Sequence, residues 1–257
     1  MRQLIRSIGG AALCLCALSF AVYSQDCGAD DLECKVTSAT KRISADPSDL
    51  EAFYDRGLAY EKLKRYDEAV ADFSRYIAGK PTNKQYLADG YGERANSYKQ
   101  QAKYKAALAD YNSALSLYVS TNYYNNRGNC YMSMGDNENA LADFNRAIAL
   151  DAKDPEPYYN RAKVYSSQKL YSKAVADLNT YVGLNTTNIP FLADGYQNRA
   201  IAYQNLNNLV QALKDATKAI ELDPTVPSRF TARANIYRKL GKTSLAEADE
   251  SAADSLK

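Results

Sequence analysis

Two oppositely charged residues recur sixteen positions apart six times in the chain: Arg56 with Asp72, Arg94 with Asp110, Arg127 with Asp143, Arg161 with Asp177, Arg199 with Asp215 and Arg233 with Asp249. A guanidinium and a carboxylate can form a bidentate, charge-assisted pair, which makes this a structural chemistry rather than a reactive one. The other ingredients of catalysis are missing. The chain has no His at all, no Gly-rich phosphate loop, no nucleophile-elbow spacing and no metal-ligand spacing. No catalytic residue, metal ligand or cofactor is assigned, and an enzyme is not expected. Cys27 and Cys34 are a candidate disulfide. Seven positions on an unbroken helix would hold their Cα atoms about 10 Å apart, so pairing requires the segment Asp26–Asp30 to be non-helical. Cys130 falls on an inner helix face and reads as a small buried hydrophobe.

The elements that carry these residues are repeats. Each Arg is followed by a small residue (Gly57, Ala95, Gly128, Ala162, Ala200, Ala234), with a Tyr three positions beyond it, and the small residues are separated by 38, 33, 34, 38 and 34 residues. A period near 34 means stacked helical hairpins. In the fourth copy Tyr158, Arg161, Ala162 and Tyr165 share one helix face, a break follows at Gln168–Ser172, and a second stripe runs through Ala174, Val175, Leu178, Tyr181 and Val182. Two helices of about 14 residues must therefore pack antiparallel across a short loop. The Arg sits among core positions, where a guanidinium without a partner would cost several kcal/mol. A ladder of helix-to-helix or repeat-to-repeat ion pairs is expected; the alternative places both groups in solvent at the rim.

A second periodicity overlies the first. Leu87-Ala88-Asp89-Gly90-Tyr91 returns as Leu192-Ala193-Asp194-Gly195-Tyr196, 105 residues later, and each instance follows one of the two long spacings. The four extra residues amount to about one helical turn, which predicts a longer first helix or a longer loop. At the same two junctions a Tyr (Tyr76, Tyr181) precedes a Gly (Gly90, Gly195) where other copies have Ala and then a bulkier residue. In the last copy the outward positions become Glu247, Glu250 and Asp254, a polar end for a finite stack. Asp31–Ala45 reads as a leading helix that covers the first repeat.

The first 24 residues have a basic start (Arg2, Arg6) and an apolar run of about 15 residues, short of the roughly 20 that span a membrane; they read as a cleaved secretory signal. Its removal leaves 30 basic and 30 acidic side chains. No positive field remains to gather phosphate backbones, so a nucleic-acid partner is not expected, nor is a membrane span in the mature chain. Asn185-Thr186-Thr187 is a candidate glycosylation sequon on a loop.

Asn126-Arg127-Gly128, Asn160-Arg161-Ala162 and Asn198-Arg199-Ala200 resemble the tetratricopeptide repeat (TPR) family in its Asn-Arg-Gly/Ala variant, with Arg replacing the Leu more usual at that position. The resemblance covers residues 50–257. It implies an all-α chain, a right-handed α-solenoid of stacked antiparallel helix pairs: signal peptide 1–24, N-terminal capping half-repeat 25–49, then repeats 50–87, 88–120, 121–154, 155–192, 193–226 and 227–257. It also implies a concave groove. Mapping the family's concave positions onto this chain gives Tyr54, Asn96, Asn125, Asn129, Met132, Tyr159, Lys163, Gln197, Ile201, Gln204 and Asn235 as candidate partner-binding residues. A row of amides can match the N–H and C=O groups of an extended peptide, and it can equally bind water. The expected function is an exported, secreted or periplasmic, non-catalytic interaction scaffold for a protein or extended peptide. The alternative is a cell-envelope assembly factor that touches glycan or peptidoglycan.

Overall fold

A computed structural model of the chain describes Cys27, Gly28 and residues 30–184 and 187–257; the leader 1–24 and the Asn185 and Thr186 positions of the sequon lie outside the described residues. The described residues form thirteen α-helices and no strand. They divide into two compact units, one ending at Pro81 and one running Thr82–Lys257.

The first unit holds α1 (Leu32–Ala45), α2 (Leu50–Lys62) and α3 (Tyr66–Ala78). Carboxylate caps start the first two helices: Asp31 accepts from the Cys34 N–H and Asp49 from the Ala52 N–H, each at 2.9 Å. The chain before α1 is a turn in which the Asp31 N–H donates to the Gly28 carbonyl. That turn brings the Cys27 and Cys34 Cα atoms to 5.7 Å, and the two are joined by a disulfide. Arg42 of α1 binds Asp49 and Asp55 at 3.0 and 2.7 Å and so fastens α1 to the start of α2. Where α2 meets α3, Gly57 lies against the Phe73 ring so closely that an added methyl would come within 2.8 Å of it.

The second unit contains five helix pairs: α4 (Lys84–Gln100) with α5 (Tyr104–Leu117), α6 (Thr121–Ser133) with α7 (Asn137–Leu150), α8 (Glu156–Ser167) with α9 (Tyr171–Leu184), α10 (Ile189–Asn205) with α11 (Leu209–Leu222), and α12 (Pro227–Lys239) with α13 (Thr243–Ser255). Each second helix also packs on the first helix of the following pair. Asn83, Asp136 and Asn208 cap α4, α7 and α11, and Pro157, Pro190 and Pro227 occupy first turns, where a missing N–H costs nothing. The core is built from Ala planes filled by larger groups such as Tyr111, Phe144, Leu178 and Tyr181. Cys130 is fully buried among them, and burial pushes its thiol up to about 11, so it is inert near neutral pH.

The extra turn lies in helix, not in loop. Helices α4 and α10 have 17 residues each, against 13, 12 and 13 for α6, α8 and α12. They therefore begin four residues ahead of the boundaries 88 and 193 expected from the repeat register. At α9–α10 the Tyr–Gly exchange is a volume compensation: the Tyr181 ring fills the space beside Gly195, where a methyl would sit 2.7 Å from it. The Tyr181 hydroxyl donates to the Phe191 carbonyl, which ties down the added turn. At the other end α13 buries only Ala246, Asp249 and Ala253, as a polar terminal helix should.

Within each pair the turn has one fixed feature. The residue eight positions after the Arg is left-handed in every copy: Lys64, Ala102, Gly135, Lys169, Asn207 and Gly241, at φ 60, 55, 78, 61, 58 and 71°. It is the midpoint between Arg and Asp, so the antiparallel helices bring those two residues to one level. A side chain in this conformation costs on the order of 1 kcal/mol relative to glycine. Lys169→Gly is expected to stabilise the chain by up to about 1 kcal/mol and Gly135→Ala to destabilise it by about 1 kcal/mol. Urea unfolding followed by far-ultraviolet circular dichroism measures both, and equal midpoints for all three proteins would refute the turn strain.

Candidate functional site

The Arg–Asp residues meet inside each helix pair. In all six copies Nε and Nη2 of the Arg donate to the two carboxylate oxygens at 2.6–2.9 Å. The Asp side chains are 1–8% exposed and the Arg side chains 14–19%. The hydrogen bond to Asp raises the guanidinium pKa of Arg56, Arg94, Arg127, Arg161 and Arg233; for Arg199 burial is the largest influence and lowers it, and the hydrogen bond to Asp215 together with charge attraction from Asp215, Tyr203 and Tyr196 outweighs it. The third nitrogen reaches the preceding helical layer: Arg56 to Thr40, Arg127 to Asn112, Arg161 to Asn145 and Arg199 to Asn179. The ion pair is thus helix-to-helix and the remaining hydrogen bond is repeat-to-repeat. Aromatic rings on the same helix, Phe53 and Tyr60, Tyr91 and Tyr98, Tyr124, Tyr158 and Tyr165, Tyr196, and Tyr237, stack on the guanidinium carbons at 5.1–6.0 Å.

The candidate groove residues lie on the first helices of the pairs, and many are already engaged within the protein. In the first unit the Tyr54 ring rests on Phe73 and Tyr76, at 5.7 and 4.9 Å between centroids. In the second unit Asn96 accepts from the Tyr111 hydroxyl and donates to Glu93. Asn125 accepts from Asn160 at 3.0 Å, and Gln197 donates to Ser228 at 3.1 Å. Tyr159 stacks on Tyr181 at 4.8 Å and accepts from Asn198 at 2.9 Å; burial, with Asp194 nearby, pushes its phenol up and keeps it neutral. Lys163 stands over the Tyr159 ring at 5.7 Å. The expected row of free amides is therefore narrower than the sequence suggests, because neighbouring first helices approach closely enough for their amides to bond each other. What faces outward is Ile201, 37% exposed, with the exposed Lys163 and Asn235 and the half-buried Met132 and Gln204. The Asn129 side-chain oxygen is buried with no hydrogen-bond partner among the described residues.

Two residues of the 105-residue block have a role that their positions alone did not disclose. Asp89 accepts from the hydroxyl of the buried Tyr123, 34 residues on, and that ring covers Gly92, where a methyl would lie 2.7 Å away. Asp194, its counterpart, accepts from Arg229, 35 residues on. Arg229 is 2% exposed and also binds the Asp223 carboxylate at 2.6 Å. The signal was present in the repetition of Asp within Leu-Ala-Asp-Gly-Tyr, paired with an unusual large polar residue at the start of the next first helix.

Four models described as tetratricopeptide repeats match residues 39–84, 128–169, 155–188 and 193–226, together more than half of the chain. The chain belongs to the tetratricopeptide repeat family. It is 24% identical over 205 residues to the Hsp70-Hsp90 organizing protein of Triticum aestivum, covering 78% of this chain and 34% of that protein. It is 26% identical over 218 residues to U-box domain-containing protein 70 of Oryza sativa subsp. japonica, covering 84% of this chain and 26% of that one. The TPR chain thus spans about a third or less of these curated relatives. Among solved structures, a chain of the APC/C hetero-tetramer Cut9-Hcn1 aligns with a TM-score of 0.73 at 17% identity, over 88% of this chain and 43% of that one. A tetratricopeptide repeat protein from Parabacteroides merdae aligns at 0.66 and 18% identity, over 88% and 87%. The fold is that of an α-solenoid interaction scaffold, and scaffolds of this family are generally non-catalytic. No helix among the described residues is long and apolar enough to cross a membrane.

In this TPR chain the carboxylate of each rung cannot be removed without leaving a cation short of water. Asp177→Ala is expected to cost about 2–4 kcal/mol, discounted for the partial exposure of Arg161, and Arg161→Met combined with Asp177→Leu to recover most of that loss. Urea midpoints of the wild type, the single variant and the double variant decide it. A double variant no more stable than the single one would show that the pair does more than satisfy its own charges.

Proposed function

We propose that the chain is an exported, non-catalytic scaffold whose first helices hold an extended segment of a partner polypeptide. The observation that carries this reading is Asn129: its side-chain oxygen is an acceptor with no donor among the described residues, on the same helix as Asn125, whose amide is already bonded to Asn160. An acceptor left alone costs about 1–3 kcal/mol, which a backbone N–H of a bound strand would offset once a rotation of the half-buried Asn129 side chain brings its oxygen to the surface. Met132, on α6 with Asn129, and Ile201, on α10, offer apolar purchase on first helices, and Gln204 and Asn235 add adaptable hydrogen bonds. The engaged amides, Asn125 and Gln197, act as a stiff floor that fixes the spacing of neighbouring helices. A peptide partner accords with a solved TPR structure described as having an unusual peptide-binding site, and a polypeptide partner with a relative named for organizing Hsp70 and Hsp90.

Export is supported by the basic and apolar leader and by the Cys27–Cys34 disulfide, since such bonds persist in oxidising compartments. The glycan reading gains nothing from Tyr91, Tyr124, Tyr158 and Tyr196, whose faces hold guanidinium groups.

Two measurements test the proposal. Peptides selected by phage display on residues 25–257 are expected to bind Asn129→Ala/Ile201→Ser about tenfold or more weakly than the wild type; unchanged affinity would overturn the groove. Mass spectrometry of the protein recovered from its host is expected to give a chain beginning at Gln25 with Cys27 and Cys34 oxidised. A full-length, reduced chain would overturn export without touching the groove.

A further inference from the structure

The six copies serve as controls for one another, and one helix departs from the rest on a surface away from the first-helix groove. Five residues before the ladder Asp, the other second helices carry Asp67, Lys105, Glu138, Ser172 and Ser244; α11 carries Val210, which is 76% exposed. One residue before that Asp, the other five carry Ala71, Ala109, Ala142, Ala176 and Ala248; α11 carries Lys214. No packing need explains either change, because both side chains point to solvent. Two residues beyond the Asp, α11 has Thr217 where the three preceding helices have the asparagines that receive Arg127, Arg161 and Arg199. Arg233 accordingly bonds Asp249 alone among the described residues.

These departures line one open cleft. It has a volume of about 800 Å³ along α11 and is lined by Val210, Leu213 and Leu240, which give apolar surface, and by Lys214 and Lys242. Its lining also includes the Arg199–Asp215 pair and Tyr196, and Tyr196 and Arg199 lie on a different face of α10 from Gln197 and Ile201. The charges are unbalanced. Arg199 is neutralised by Asp215 and Lys218 by Glu221, whereas Lys214 and Lys242 have no acidic partner among the described residues. An exposed apolar strip flanked by two uncompensated ammonium groups is complementary to carboxylates flanking an apolar side chain.

We propose that this cleft docks an acidic segment of a partner protein, seating an apolar side chain on Val210, Leu213 and Leu240 and its carboxylates on Lys214 and Lys242. It is a second docking surface, independent of the groove. The substitutions that test it restore what other copies carry, so the fold has no reason to suffer: Val210→Ser and Lys214→Ala. The probe is a short fluorescein-labelled peptide made only of Glu and Leu, with Lys/Leu and Glu/Ser peptides as controls, read by fluorescence anisotropy on residues 25–257. The Glu/Leu peptide is expected to bind, to lose about tenfold or more in affinity in the double variant, and to weaken as salt is raised; Lys153→Ala on a remote turn should leave it unchanged. Equal binding to wild type and double variant, or equal binding of the Lys/Leu peptide, overturns the proposal. So does a wild-type dimer in sedimentation that the double variant converts to monomer, since the occupant would then be a second copy of this chain.

Discussion

A guanidinium that lies between two helices must find its counter-charge at the same height on the opposite helix, and this requirement organises each hairpin. The left-handed residue at the turn is eight positions from the Arg and eight from the Asp. Any change in loop length would separate the two groups by about 1.5 Å per residue and rotate them apart. Beside the pair, the small residue after the Arg packs under the ring that follows the Asp: Gly57 meets Phe73 and Gly128 meets Phe144, each with ring carbons where a methyl would be. Length variation is excluded from the hairpin and appears between hairpins instead, as the added first turns of α4 and α10.

The pair also shapes what surrounds it. Arg56, Arg127, Arg161 and Arg199 each keep one nitrogen for the preceding layer and leave the guanidinium carbon for aromatic rings, so much of the tyrosine content is consumed in building the rungs. This is a different solution from a purely apolar core. It is directional: a helix that rotates or slides loses three hydrogen bonds and a ring contact at once, whereas a Leu in the same place would tolerate the shift. A chain with Ala-rich helices and few large aliphatic groups gains from such polar registration, because Ala planes alone specify relative height poorly.

The hairpins, their number, the ion-pair partners and the polar last helix were legible in the sequence because they repeat, and repetition averages out the local accidents of any one copy. The lengthened α4 and α10 were legible as an insertion, but helix and loop could not be separated until the turn was seen to be helical. The Cys27–Cys34 bond depended on whether a few residues before α1 leave helical conformation, and the cap at Asp31 decides that. The state of the groove amides was not legible. Asn125 with Asn160, Tyr159 with Asn198 and Asp194 with Arg229 are joined across 35, 39 and 35 residues. Such bonds depend on how neighbouring layers are rotated, which a pattern internal to each repeat does not encode.

A tandem array supplies its own reference, and departures from it fall into two physical kinds. Some are answered elsewhere in the chain: Tyr181 by Gly195, Tyr123 by Gly92 and Asp89, Arg229 by Asp194 and Asp223. Folding alone accounts for these, since a large or charged group placed in a packed layer must be given room or a counter-charge. Others have no answer among the described residues. Val210 and Lys214 replace small or polar groups on a solvent face where neither gains a contact the fold requires. An apolar group held in water and an ammonium without a partner add nothing to the stability of the hairpin that carries them. Their energetic return lies outside the chain, in whatever covers the one and neutralises the other.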